Sequence, residues 1–271
     1  MKNVFKKCFT LISLSVICAS VSFAEDLSTL ERIKSTKVMK LGVVQGEPWY
    51  FKDPITGKWD GVGYRLGVKI AEDLGATVQP SETTYGNAPA AIQSKQADLV
   101  LVLDATEERK KAISFPEAPL LYYKQGILLR EDLKIENWQD LNSSEYRIGT
   151  AMGSSVDRDL TQRLPEANIE RYANTDETIA AFISGRIDGL AFFHPALVIA
   201  KSKIRMGNLV IPKPEISNPT SGGIRKEDTA FREYVNSEFI KMMEDGTVTA
   251  VFEEYLKTKG LNPKEIPGVM K

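Results

Sequence analysis

Residues 99–103 read Leu-Val-Leu-Val-Leu, an unbroken apolar run with the length and β-branched content of a strand buried on both faces. Beyond it the pattern turns amphipathic at helical spacing, so a strand ends at Asp104 and a short helix begins, with Thr106 suited to the N-cap and Glu107 and Glu108 in the first turn. The same alternation of periods occurs on either side. Residues 38–44 and 76–80 read as strands, and Val62, Leu66, Ile70 and Leu74 recur every four residues in a helix that Gly75 stops. Asp53 to Lys58 is a hairpin tip, and a further helix covers about 88–95.

The second half repeats the theme. A long extended run at 120–129 contains a glycine and passes between two lobes; strands follow at 146–150, 168–172, 187–193 and 208–212. Helices fall at 156–164, broken by Pro165, and at 176–184, ended by Gly185. Helix-then-Arg-Ile-Asp-Gly at 186–189 mirrors residues 92–98, so two lobes share one plan. Residues 219–224 are glycine-rich and extended, a second crossover and hinge. Helices at 228–244 and 248–257 then return to the first lobe, and 262–268 form an irregular tail. Strand, helix, strand in this order predicts open, mostly parallel sheets flanked by helices. The expected organisation is 25–120 and 226–271 in lobe 1 and 121–225 in lobe 2.

The N-terminus changes the picture of where the chain works. Lys2, Lys6 and Lys7 precede an apolar run from Cys8 to Val21, then Ser22-Phe23-Ala24 before acidic Glu25-Asp26: a secretory signal peptide (residues 1–24) cut after Ala24. The apolar part is too short and hydroxyl-rich for a stable span. Cys18 raises lipoprotein processing, which bulky Ile17 before it disfavours. Both cysteines, Cys8 and Cys18, fall in the leader, so the exported product is stabilised by its core alone. Of 271 residues, losing 24 leaves 247, ample for two lobes. Losing three lysines from 35 basic residues leaves 32 against 36 acidic ones, and the formal charge moves from −1 to −4. Nothing in that balance suggests a polybasic surface for nucleic acid or anionic lipid.

Ligands of open α/β sheets bind beyond the carboxyl ends of the strands, where Trp49, Asn87 and the turn from Asp104 to Arg109 all fall. Arg109 is a cation near a helix N-terminus, unfavourable unless an anion holds it. It either grips a carboxylate with its planar fork or pairs with Glu107 or another surface acid. Trp49, Tyr50 and Phe51 are consecutive, and strand alternation would turn at least one ring out of the core towards a small-molecule site. Gly153-Ser154-Ser155 before a helix offers N–H and hydroxyl donors to an anion, although N-capping by Ser154 or Ser155 accounts for the same residues. One histidine, His194, suited to a cap or the surface, and no cysteine after the leader argue against a transition-metal site or other cofactor. No nucleophile–histidine pair or phosphate loop is present.

Four ordered blocks carry a resemblance: 46–51 (Gly-Glu-Pro-Trp-Tyr-Phe), 59–64 (Trp-Asp-Gly-Val-Gly-Tyr), 92–98 (Ile-Gln-Ser-Lys-Gln-Ala-Asp) and 104–109 (Asp-Ala-Thr-Glu-Glu-Arg). Together they resemble the family 3 extracellular solute-binding proteins, periplasmic amino-acid receptors of ABC importers. The resemblance implies an α/β, periplasmic-binding-protein-like fold with two lobes and a two-strand hinge. It also implies a monomer that hands its ligand to a membrane permease. It assigns Arg109 to the ligand's α-carboxylate and Ser155 to the loop that closes over it. One of Trp49, Tyr50 and Tyr85 would pack on the ligand side chain. Where the family carries an ammonium-binding aspartate, this chain has Phe193-His194-Pro195. Either Asp104 supplies that carboxylate from the first lobe, or the ligand lacks a free α-amine. A dehydratase on the same fold, with Asp104 as the acid, and a sensor partner of a membrane receptor are the alternative functions.

Overall fold

The computed structural model describes residues 27–263; the leader with its cut after Ala24, both cysteines and most of the irregular tail lie outside the described residues. In the first lobe, α1 (Thr29–Thr36) precedes β1 (Val38–Val43), the hairpin β2 (Phe51–Lys52) and β3 (Trp59–Asp60), α2 (Val62–Asp73), β4 (Thr77–Glu82), α3 (Ala88–Gln93), β5 (Val100–Leu103) and α4 (Glu107–Ala112). The chain crosses on β6 (Leu121–Leu129) into β7 (Arg147–Ala151), α5 (Ser155–Arg163), β8 (Asn168–Tyr172), α6 (Thr175–Ile183), β9 (Gly189–Phe193), α7 (His194–Ile204) and β10 (Asn208–Val210). It returns on β11 (Ser217–Gly223) to α8 (Thr229–Glu244) and α9 (Thr247–Thr258).

β1 pairs in parallel with β4 and bridges Leu99 ahead of β5, while β7 lies parallel between β8 and β9. These parallel sets come from strand–helix–strand units. The crossovers β6 and β11 run antiparallel to each other, since the chain leaves along one and returns along the other. β11 also pairs with β5 and β6 with β9, so one hydrogen-bonded path, β5-β11-β6-β9-β7-β8, links both lobes. Helix α2 buries Val62, Leu66 and Ile70 completely, one face at the spacing the sequence shows.

The mirrored Asp98 and Asp188 do the same work in each lobe. Asp98 accepts the Lys40 N–H of β1 at 2.8 Å and is paired with Arg32 and Arg225; Asp188 accepts the Arg147 N–H of β7 at 3.0 Å and is paired with Arg130 and Arg147. Each buried carboxylate ties the entry of the last strand to the start of the first, which is why the motif recurs.

Candidate functional site

The site is built on the junction of β5 and α4. Thr106 caps α4 by accepting the Arg109 N–H at 3.3 Å, and Arg109, 2% exposed, turns its side chain back beneath the strand end. Its guanidinium donates to three main-chain carbonyls: Asp104 at 3.0 Å, Tyr85 at 3.4 Å and Gly153 at 3.1 Å. Those carbonyls offset the unfavourable helix dipole at this position. Guanidinium has five N–H donors. Nε, also buried, has no hydrogen-bond partner. Burial lowers the Arg109 pKa and Asp104 opposes that shift; an arginine remains protonated regardless.

Asp104 directly follows β5 and is the acid facing this cation. Its Oδ1 accepts the Tyr123 hydroxyl of β6 at 2.5 Å, and its Oδ2 accepts the Ser155 hydroxyl at 2.5 Å, with the Asn218 amide at 3.5 Å. Burial, then the nearby carboxylate, pushes the Tyr123 phenol well above its usual range, so it remains a donor. Val102, a residue of β5 two positions before Asp104, has φ +55°. Leu101 and Leu103 pair with Gly222 and Ser221 across a register shift, which leaves Val102 as the bulged residue. A β-branched residue in the left-handed region costs about 1–3 kcal/mol and is held only by its surroundings.

The second lobe closes the site with the N-terminus of α5. Ser154 caps that helix through Asp157 N–H at 3.1 Å, so its side chain does the simpler of the two jobs the sequence allowed. Gly153, at φ +71°, meets Gly86 backbone to backbone: a Cβ there would lie 2.7 Å from the Gly86 Cα. Rings form the remaining wall. Trp49 and Tyr123 centroids are 5.5 Å apart, Tyr123 and Phe193 3.8 Å, and Tyr85 lies 6.0 Å from Phe192. The space enclosed is about 10 Å³, room for about one water, so a guest enters only when the lobes part.

Seven of the residues singled out in the sequence line this cavity: Trp49, Tyr85, Asp104, Arg109, Ser154, Ser155 and Phe193. Two do not. Tyr50 is buried in the first lobe, donating to the Leu101 carbonyl at 3.0 Å, and Asn87 sits exposed at the N-cap of α3. Of the three rings at 49–51, Phe51 lies outside the core as the alternation anticipates, partly exposed beneath Lys203 and Lys259, while Trp49 and Tyr50 are each 1% exposed. Their backbone is a turn closed by Gly46 and Tyr50, not a strand, so neighbouring rings both point inward. His194, for which the sequence left a cap or a surface role, opens α7 as a buried residue, its Nδ1 accepting the Lys124 N–H at 3.1 Å. Sequence reasoning missed Val102 and Tyr123, whose places follow from the bulge and from the register of β6.

Outside the cavity, further contacts cross between lobes. Arg158 pairs with Glu108 at 2.6 Å, and Gln45 donates to Asp176 at 2.8 Å. Glu47, buried, pairs with Lys203 of α7 and, at 2.7 Å, with Lys259, while the Tyr255 hydroxyl donates to it at 2.9 Å. Burial would raise the Glu47 carboxyl, but the two lysines outweigh it and hold its pKa below the ordinary value.

A model of the bacterial extracellular solute-binding proteins, family 3, matches residues 39–258. This chain belongs to that family. It is 24% identical over 84% of its length to the ABC transporter glutamine-binding protein GlnH of Bacillus subtilis, of which it covers 85%. It is 22% identical to the L-cystine-binding protein TcyJ of Escherichia coli, over 86% of this chain and 88% of that one. Among solved structures, the ancestral amino acid-binding protein AncCDT-1, described as a precursor of cyclohexadienyl dehydratase, superposes with a TM-score of 0.76 at 27% identity, covering 84% of this chain and 99% of that one. The cysteine-binding protein of Campylobacter jejuni superposes with a TM-score of 0.79 at 22% identity over 88% and 98%. The two-lobed solute-binding fold is therefore that of this chain.

Proposed function

We propose that the chain is exported to the periplasm through its leader, cut after Ala24, and there captures an amino acid or related small carboxylate as a monomer. It then delivers the ligand to the permease of an ABC importer. The lobes are residues 25–120 with 226–271, and 121–225. Carrying this reading is Arg109, a buried guanidinium whose Nε has no partner and which is held by a carbonyl from the opposite lobe. When the lobes part, Gly153 O leaves Arg109 and the Ser155 hydroxyl leaves Asp104, which bares a donor and an acceptor at the floor of the gap. A ligand carboxylate takes the first and an amine the second. Closure then follows the ligand because only the closed form has both walls.

A thermal-shift screen over amino acids, opines and simple carboxylates tests this. At a hundred times Kd a ligand adds about 2.7 kcal/mol, a clear rise in melting temperature. The ligand should be recovered unchanged by mass spectrometry. Conversion to a product would instead support the dehydratase reading, with Asp104 as general acid, for which the likeness to AncCDT-1 gives a specific reason.

A further inference from the structure

The charges around the cavity narrow the ligand further than a small carboxylate, taking the receptor reading as given. Arg109 and Asp104 are the only formally charged groups among the described residues lining it; the others are rings, Val102 and two serines. Arg158, outside the lining but close enough to act on Arg109, is already paired with Glu108 at 2.6 Å. The walls therefore carry no net charge.

Hydrogen-bonding capacity points the same way. Arg109 gives three of its five N–H groups to carbonyls, and Nε is among those left. Asp104 has about four acceptor positions, of which Tyr123, Ser155 and Asn218 use three. One side of the site lacks an anion and the other has room for one N–H donor. A zwitterion satisfies both. A side chain bearing a further charge would be left among Trp49, Tyr85 and Phe193, and a buried charge without a partner is strongly unfavourable.

We infer that the site selects amino acids of zero net charge with an apolar side chain, and that Asp104 sets this selectivity by balancing Arg109. Glutamate and arginine are each one charge away from that balance. Isothermal titration of the leader-free protein with L-valine, L-methionine, L-glutamate, L-arginine and isovalerate decides it. Valine or methionine should bind at least about tenfold more tightly than glutamate or arginine. Equal or tighter binding of a charged amino acid overturns the inference while leaving the receptor reading in place; no binding by any of the five overturns both.

The variant Asp104→Asn keeps the side-chain shape and removes the compensating charge. It should shift the ratio of valine to isovalerate affinity towards isovalerate by about a hundredfold. The ratio is insensitive to a general loss of stability, so an unchanged ratio counts against Asp104 as the selecting group.

Discussion

At the scale of single residues, Arg109 decides most. Sequence reasoning marks it because a cation one turn into a helix needs compensation, and the compensation is three carbonyls from two lobes. Arg109→Lys preserves the charge but lacks the fork that spans those carbonyls and a ligand together. Its affinity for the tightest ligand of the screen should fall at least about tenfold, as read by titration. Arg109→Ala should remove binding and also lower stability by about 1–3 kcal/mol, because buried carbonyls lose their donor; urea unfolding measures this. Unchanged affinity in both variants would remove Arg109 from the site. Asp104, Ser155 and Arg109 were legible because they stand at strand-to-helix junctions, where the periodicity itself changes. Tyr123 was not: a tyrosine inside an apolar strand reads as core until the pairing of β6 with β11 and β9 places it. Tyr50 was misplaced for a related reason, as a five-residue turn carries no periodicity from which to infer a face.

At the scale of elements, the N-terminus of α5 has to reach the first lobe. Gly153 permits this with φ +71° and a bare Cα against Gly86, whereas a Cβ on Gly86 would meet nothing nearer than 4.0 Å. The pair gives an asymmetric prediction. Gly153→Ala should prevent full closure and weaken ligand binding at least about tenfold, while Gly86→Ala leaves affinity within about twofold. Equal effects from the two, measured by titration, would show that the contact is not tight. The helices and parallel strands were legible here from four-residue and unbroken apolar patterns. The antiparallel hinge was anticipated as two crossovers but not as paired strands, because pairing between residues about a hundred apart leaves no local mark.

At the scale of the whole molecule, the Glu47 cluster joins both lobes to the C-terminal helix, and it was invisible in the sequence, since Glu47, Lys203 and Lys259 lie in three distant segments. Its pKa is lowered on folding, so its stabilising contribution is fully present above the ordinary glutamate value, about 4.3, and is lost as pH falls through the lower folded value. Glu47→Gln should lower the melting temperature at neutral pH by about 2–4 °C and lose less than the parent protein on acidification. Parallel melting curves at every pH would deny the cluster that role. The two lobes, their repeated plan and the location of the cleft were readable from order alone, because each follows from short-range units. The contacts that hold the cleft shut were not.

The most direct measurement is a crystal structure grown with the tightest ligand of the screen. The ligand's carboxylate should lie within about 3.2 Å of the Arg109 guanidinium, with Nε among its donors and both lobes touching the ligand. A ligand bound elsewhere, with Nε still unpartnered and Gly153 O still on Arg109, would contradict the account.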